Sequence, residues 1–321
     1  MKRATAVLAG VIGLLATACY QDFDFTADHK ADYVVVGANG SWRNLGTGAV
    51  FLSPAATDWP VPGDWNGDHF MDAAVVTPNG DWVTGVAATF SFPKPPALPG
   101  PPDQRSLTSL PVPGDYDGDG TTDAAWYDES NGTWHIRGRA PVVFGTGPST
   151  PGASDYDFPV PADYDGDAIT DLSTFNPATQ LWKVKESSTG SVTALAMPGN
   201  ELLPMPVPAD YDGVGHAQRA VMGSNGWFIE GHAAPDPFGA WTPTTDSGYP
   251  AVADYDGDDR ADPSFVEWDG GIWRTKGSDV TFDLGDGYMT KMPLATGRNL
   301  RWNIARITYQ GFCNTDSGYC D

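Results

Sequence analysis

Positive charge is scarce in this chain: its 321 residues include 18 Lys and Arg against 41 Asp and Glu, a formal net charge of -23. Nucleic-acid binding needs a cationic surface, so the composition argues against a DNA or RNA partner. The sequence also lacks G-x-S-x-G and H-E-x-x-H motifs, and its five His are scattered. We therefore expect a protein that is not an enzyme.

Long helices are also excluded. Gly (38) and Pro (28) together make up about a fifth of the chain, and both residues destabilise helix interiors. Aromatic residues make up 12%, which is too many for a disordered polar chain. These features predict a folded, turn-rich, all-β protein.

The one long apolar run lies at the N-terminus. Lys2 and Arg3 precede it, and residues 1–18 predict a signal peptide that is too short for a good membrane span. The small residues before Cys19 resemble the lipobox of bacterial lipoproteins. This resemblance implies cleavage before Cys19 and lipidation of its thiol. Ala16-Thr17-Ala18 also fits an ordinary cleavage site, so a freely secreted protein is the alternative.

Cysteine is rare, with three residues in the chain. Cys313 and Cys320 lie close together in a Gly- and Asn-containing turn, and in an oxidising compartment we expect them to form a disulfide. That pairing leaves Cys19 for lipidation. The alternative is two free thiols in the C-terminal tail.

Beyond the N-terminal segment, one acidic pattern recurs. It begins with Asp, continues with polar or acidic residues at alternate positions, and places a last Asp at the ninth; the sharpest copy is Asp115–Asp123. The copies start about 40 to 51 residues apart, a spacing typical of repeat architectures. We call them the first to sixth acidic loops and count positions from their first residues, Asp24, Asp64, Asp115, Asp163, Asp210 and Asp254.

Each acidic loop is followed by an apolar run, a tight turn and a Trp, as in Ala124-Ala125-Trp126-Tyr127, Asn131-Gly132 and Trp134. Asn-Gly between apolar runs is a strong hairpin signal. Units of about 40–50 residues with four strands are the signature of a β-propeller. We expect the recurring Trp to pack between blades; a ring of sugar-stacking aromatic residues is the alternative.

The number of units sets the expected number of blades. Pro293–Gly297 fits a seventh, eroded unit without its acids, and residues 298–310 fit a closing strand. The sequence therefore predicts one propeller over residues 19–321 with seven four-stranded antiparallel blades, and six blades as the alternative. The Pro-rich residues 91–110 read as an exposed loop between two units.

The acidic loops have the composition of hard-cation sites. Oxygen ligands at positions one, three, five and nine, with Gly inside the loop, suit calcium, which takes six to eight oxygens in irregular geometry. The backbone carbonyl of position seven, as at Thr121, would add a ligand. The predicted ligands are Asp24, Asp28, Asp32, Asp64, Asn66, Asp68, Asp72, Asp115, Asp117, Asp119, Thr121, Asp123, Asp163, Asp165, Asp167, Asp171, Asp254, Asp256, Asp258 and Asp262.

The run from Pro111 to Asp123 resembles the FG-GAP/VCBS repeat of bacterial surface proteins and integrin α-subunit propellers. The likeness covers about residues 20–310. It implies a seven-bladed propeller with calcium in blade hairpin loops and a role in adhesion, protein binding or carbohydrate binding. The fifth acidic loop departs from the pattern, since Val214 and Gln218 stand where acids are expected.

These observations predict a non-enzymatic, calcium-binding propeller at the cell surface that holds a protein or glycan partner. Its contact with a membrane would be through the lipid anchor at Cys19 only. The alternatives are a carbohydrate-binding lectin and, with less support, a polysaccharide lyase or hydrolase built on a propeller.

Overall fold

The computed structural model describes residues 23–36, 41–52, 58–95, 109–150, 155–198, 204–240, 248–267, 271–284 and 292–293. Every regular element in these ranges is a β-strand, which confirms the all-β prediction. No helix in the described ranges has the length and apolar character needed to cross a membrane. The predicted signal peptide, Cys19, Cys313, Cys320 and the strand expected within 298–310 lie outside these residues.

The strands form six antiparallel sheets, and each sheet follows one acidic loop or contains it between its first two strands. The first three sheets contain these strands: β1 (Val34–Val36), β2 (Trp42–Asn44), β3 (Val50–Leu52) and β23 (Met292–Pro293); β4 (Trp59–Pro60), β5 (Val75–Val76), β6 (Asp81–Val83) and β7 (Phe90–Ser91); β8 (Ser109–Pro111), β9 (Ala125–Asp128), β10 (Thr133–Ile136) and β11 (Val142–Val143).

The other three sheets follow in chain order. They contain these strands: β12 (Phe158–Pro159), β13 (Leu172–Asn176), β14 (Leu181–Lys185) and β15 (Val192–Ala196); β16 (Met205–Pro206), β17 (Ala220–Gly223) and β18 (Gly226–Ile229); β19 (Gly248–Pro250), β20 (Ser264–Glu267), β21 (Ile272–Thr275) and β22 (Thr281–Asp283). Repeated antiparallel sheets of this kind are the blades of a β-propeller.

The predicted blade numbers are wrong. The described residues form five four-stranded blades, not seven or six. The sheet of the fifth unit has three strands, because the place of its fourth strand is taken by a single bridge between Trp227 and Asp236. Pro235 and Pro237 flank Asp236 and have no N–H to donate, so a longer ladder cannot form there.

The prediction of a seventh unit is wrong for a different reason. Pro293, expected at its start, belongs to β23, which pairs with β1 so that Val35 faces Pro293. The Met-Pro pair of β23 therefore takes the place that Trp59–Pro60 and Met205–Pro206 take in their own sheets. Proline is tolerated there because each of these strands lies at the edge of its sheet. The last described strand thus completes the first blade.

A ring of backbone hydrogen bonds joins the six acidic loops. In every loop the N–H of position eight donates to the carbonyl of position one in the preceding loop, and the first loop bonds to the sixth through Ala31 and Asp254 at 2.6 Å. The other five pairs are Met71 to Asp24, Thr122 to Asp64, Thr170 to Asp115, Ala217 to Asp163 and Ala261 to Asp210, at 2.6–2.8 Å. The loops therefore lie side by side in a closed circle.

The hydrophobic core lies within and between the blades. The recurring Trp residues of the third strands are 0% exposed: Trp42, Trp82, Trp134, Trp182, Trp227 and Trp273. The clusters around them include residues of the next blade, as where Val221 packs with Trp182. The packing interpretation of these Trp residues is confirmed.

The aromatic residue at position two of each later loop fixes the loop to this core. The hydroxyl of Tyr116 donates to the carbonyl of Val112 at 2.7 Å, and the indole N–H of Trp65 donates to Val61 at 3.1 Å. Tyr164, Tyr211 and Tyr255 repeat this contact. Burial of the aromatic ring and its hydrogen bond together hold the loop against the blade.

We predict that Trp182→Ala destabilises the protein by about 3–5 kcal/mol, because it removes a fully buried ring that contacts Tyr164 and Phe175. The free energy of unfolding from urea denaturation measures the change. Val192→Ala in the same sheet is the control, since Val192 is 58% exposed and its truncation should cost less than about 0.5 kcal/mol. Equal effects of the two changes would contradict the assigned core.

Candidate metal centres

The first Asp of each acidic loop organises the backbone around it. In the third loop, Gly118 and Gly120 adopt left-handed φ angles of 76° and 84°, a region that Gly enters without strain. Their N–H groups point at Asp115: Gly118 donates to Oδ1 at 2.7 Å and Gly120 donates to Oδ2 at 2.9 Å. The carboxylate at position one is therefore held by the loop's own amides.

The Asp at position nine closes the loop. Oδ2 of Asp123 accepts the N–H of Tyr116 at 3.0 Å, and Asp72, Asp171 and Asp262 accept the equivalent N–H in their loops. The backbone of Asp123 also pairs with Gly114, which precedes position one. One oxygen of the ninth carboxylate is thus used by the loop backbone, and in the fourth loop the other oxygen, Oδ1 of Asp171, accepts the N–H of Ser187 at 2.6 Å.

The structure brings positions one, three and nine together in three loops. The groups are Asp115, Asp117 and Asp123; Asp163, Asp165 and Asp171; and Asp254, Asp256 and Asp262. In each group, one carboxylate oxygen from each residue lies within 4.8 Å of the others. Two oxygens bound to one calcium ion at 2.3–2.6 Å can be at most about 5 Å apart, so these groups have the spacing of a calcium site.

Position five does not join these groups. Its carboxylate accepts the N–H of position seven instead, as Asp119 does from Thr121 at 2.8 Å. The Thr121 hydroxyl also donates to Asp119 and lowers the pKa of that carboxyl. Asp28, Asp68, Asp167 and Asp258 make the same contact with the residue two places on.

In the first two loops, side-chain amides contact the acids. Asn44, which is 1% exposed, donates to Oδ1 of Asp32 at 2.6 Å. In the second loop the Asn66 amide donates to Oδ2 of Asp68 at 3.0 Å and reaches Oδ1 of Asp72 at 3.5 Å. The three Asp residues of these loops do not converge as they do in the third, fourth and sixth loops.

The fifth loop keeps the same backbone without the ninth carboxylate. The side-chain carbonyl of Gln218 accepts the N–H of Tyr211 at 2.6 Å, the bond that Asp makes elsewhere. Asp212, at position three, contacts Nε2 of His232 at 3.0 Å. The loop therefore folds with a neutral amide at position nine, which shows that the ninth carboxylate is not needed for the backbone shape.

The fourth loop is the most enclosed of the three acidic groups. The turn between β14 and β15 covers it: the Ser187 hydroxyl contacts Asp167, and the Ser188 hydroxyl donates to Oδ2 of Asp165 at 2.6 Å. Asp163 and Asp171 are buried, at 6% and 0% exposure. Oδ1 of Asp165 is buried and accepts no hydrogen bond from the described residues.

Crowding of carboxylates changes their protonation. Burial, together with repulsion from neighbouring Asp residues, raises the pKa of Asp123, Asp171 and Asp262 from 3.8 to about 6. The same causes raise the pKa of Asp163 and Asp254, and burial also raises the pKa of Asp32 and Asp72. A bound cation would favour the ionised form of these groups and offset the repulsion.

The donor set fits a hard divalent cation. All ligand atoms in the three groups are carboxylate oxygens, and neither Cys nor His belongs to them. The buried Oδ1 of Asp165 is an acceptor for which a cation would be the partner. Calcium, with its tolerance for irregular oxygen geometry, is the ion that we expect from this chemistry.

Sequence reasoning missed the residues that act on a loop from a distance. Asn44 lies on β2, and Ser187 and Ser188 lie in a hairpin turn more than 15 residues after the loop that they cover. A polar Ser-Ser-Thr-Gly turn signals a hairpin, and no feature of it indicates which loop it will contact.

Comparisons with known proteins identify distant structural likenesses. No protein-family model matches the sequence, and no curated protein matches it. A solved structure of an Agrocybe aegerita lectin, described for specific recognition of non-reducing terminal N-acetylglucosamine, is similar at 16% identity and a TM-score of 0.46, covering 74% of this chain and 71% of that chain.

Two structures of BBS1N in complex with ARL6DN are also similar. Each is 13% identical; the TM-scores are 0.38 and 0.39, and the matches cover 75% and 78% of this chain and 86% and 88% of those chains. Likenesses at this distance carry no argument about function. The class of the protein, a β-propeller with acidic loops, therefore comes from its own sheets and loops.

The raised pKa values predict how stability without metal depends on pH. Between about pH 5 and 7 the native state holds protons on Asp123, Asp171 and Asp262 that the unfolded state has lost, so the free energy of unfolding in chelator should fall as pH rises. Each pKa shift would change the free energy of unfolding by roughly 3 kcal/mol without screening. Solvent access reduces it to about 1 kcal/mol per carboxyl.

Urea denaturation in chelator at several pH values measures this slope. In saturating calcium the slope should reverse, because protons compete with the cation for the same oxygens. A free energy of unfolding that rises with pH in chelator would show that the clustered carboxyls are not the groups that titrate.

Proposed function

We propose that this protein is a calcium-binding β-propeller that serves as a non-enzymatic binding scaffold at the cell surface. The observation that carries the calcium assignment is the group Asp163, Asp165 and Asp171, in which a buried carboxylate oxygen has no hydrogen-bond partner among the described residues. Three carboxylates that converge in a buried loop repel each other unless a cation joins them. Calcium therefore stabilises the loops, and through them the ring.

The first test is the metal content of the purified protein. We expect about three calcium ions per chain, in the third, fourth and sixth acidic loops, because these bring three carboxylates together. Elemental analysis after equilibration in calcium and gel filtration gives the stoichiometry. A protein that retains no divalent cation, with the same melting temperature in calcium and in chelator, would contradict the assignment.

A substitution taken from the protein itself separates metal binding from folding. We predict that Asp123→Gln retains the bond to the Tyr116 N–H, as Gln218 does with Tyr211, and loses calcium at the third loop. In chelator its free energy of unfolding should equal or exceed that of the wild type. The raised pKa of Asp123 means that its ionised form destabilises the native state near neutral pH, and Gln carries no such charge. Addition of 10 mM calcium should raise its free energy of unfolding by about 1–3 kcal/mol less than it raises that of the wild type.

Scanning calorimetry of both proteins with and without calcium measures this difference. Asp279→Asn is the matched control, since it removes one charge from an exposed position outside the acidic loops. An equal calcium-induced shift in the wild type and in Asp123→Gln would place the ion elsewhere.

The scaffold role rests on the fold and on the absence of a recognisable catalytic motif in the sequence. The lectin alternative, which depended on exposed stacking aromatics, gains no support from the described residues, since the exposed large hydrophobic side chains among them are all Val. A glycan array tests this alternative. Turnover of a polysaccharide that chelation abolishes would instead show an enzyme.

Attachment to the cell surface is the remaining part of the proposal. It depends on lipidation of Cys19 after removal of residues 1–18. Mass spectrometry of the protein from membranes should show a diacylglycerol-sized addition at Cys19. An unmodified N-terminus in the culture medium would favour the secreted alternative.

A further inference from the structure

A cavity of about 420 Å³ opens between the fourth and fifth sheets, beside the fifth acidic loop. Its polar lining comes from both sheets: Glu186 and Thr193 from the fourth, and Asp212, His216, Arg219 and Glu230 from the fifth. Ligand pockets in proteins commonly have volumes of about 300–1,000 Å³. The size therefore suits a small group or a single inserted side chain.

The repeat shows that this lining is particular to the fifth unit. In four units the residue after position nine lies just before the second strand, and its carbonyl accepts the backbone N–H of the residue that follows the third strand, as Arg219 accepts from Glu230 and Ala124 accepts from Arg137. The other units have uncharged residues at the place of Arg219, namely Tyr33, Ala73, Ala124, Leu172 and Pro263. A guanidinium has thus replaced an uncharged residue in one unit of six.

Arg219 and Glu230 form a two-bond ion pair in the cavity. Nε donates to Oε2 of Glu230 at 2.8 Å and Nη2 donates to Oε1 at 2.6 Å. The Arg219 side chain is 15% exposed. Removing such a pair from water costs free energy that offsets much of its electrostatic gain, so the pair is weak evidence for stabilisation of the blade.

The charge that remains in the cavity is negative. Glu230 neutralises Arg219, while Glu186 accepts a bond from the Thr189 hydroxyl and Asp212 contacts His232. No Lys or Arg in the described part of the chain forms an ion pair with Glu186 or Asp212. The cavity therefore offers two carboxylates to a positively charged group from outside.

The apolar part of the lining suits the stem of such a group. Val184 and Tyr164 line the cavity, and Val214, which is 55% exposed, lies at the fifth acidic loop. Val214 stands where the other five loops carry an Asp. An aliphatic chain that ends in a cation matches this combination of apolar wall and carboxylates.

We infer that this cavity binds a basic side chain, lysine or arginine, presented by a partner protein. The inference rests on the proposed scaffold role and names the chemistry of one partner contact. It does not depend on calcium, because the fifth acidic loop has no converging group of three acids.

Calorimetric titration of the full chain with Nα-acetyl-lysine methylamide tests the inference. Nα-acetyl-norleucine methylamide, which keeps the stem and lacks the ammonium group, is the matched probe and should bind about tenfold more weakly or not at all. Affinity for the lysine probe should fall as ionic strength rises. N-acetylglucosamine, titrated in parallel, represents the carbohydrate class.

Glu186→Gln and Asp212→Asn should each weaken binding of the lysine probe several-fold, whereas Asp279→Asn, outside the cavity, should leave it unchanged. Melting temperatures of all variants show whether the fold is retained. Equal affinity for the two amino-acid probes, no binding of the lysine probe or of Nα-acetyl-arginine methylamide up to about 10 mM, or binding of the sugar alone would overturn the inference. Metal content is measured on the same samples, so loss of calcium and loss of probe binding are separate results.

Discussion

The closed circle of hydrogen bonds between neighbouring acidic loops is the constraint on which the rest of the structure depends. Each bond joins the carbonyl of the first residue in one loop to the amide of position eight, next to the ninth residue, in the following loop. A shift of one loop would therefore move a carboxylate of the next. Because each bond starts at the carbonyl of a position-one Asp and, outside the fifth loop, ends next to a position-nine Asp, the geometry of a candidate metal group is set partly by its neighbour.

Electrostatic repulsion within the loops is handled in two ways. Backbone amides surround the carboxylate of position one, as at Asp24, which is 1% exposed and accepts four N–H groups. The carboxylate of position nine receives an amide partner from Asn44 in the first loop and is replaced by Gln218 in the fifth. The acids converge in the third, fourth and sixth loops, where positions one, three and nine are all Asp, and burial together with repulsion raises the pKa of the ninth carboxyl there, which is why a cation is expected in these loops and not in every loop.

Local patterns in the sequence predicted the parts of the fold that depend on local contacts. The period, the Asn-Gly turns and the recurring Trp placed most strands and the buried side of the blades, and positions one, three and nine converge in three of the loops. The predicted seventh blade was wrong because the partner of Pro293 is Val35, at the other end of the described chain. The covering of the fourth loop by Ser187 and Ser188 also depends on packing of a neighbouring turn, which spacing along the chain does not reveal.

The pairing of β23 with β1 also bears on how the protein is made. During synthesis the strand Val34–Val36 emerges early, and its partner Met292–Pro293 follows more than 250 residues later. Until then one edge of the nascent first blade offers unpaired amides and carbonyls to any other extended chain. Contacts between such distant residues form slowly, so the seam between the two ends is expected to close last and to be where the circle first reopens under stress.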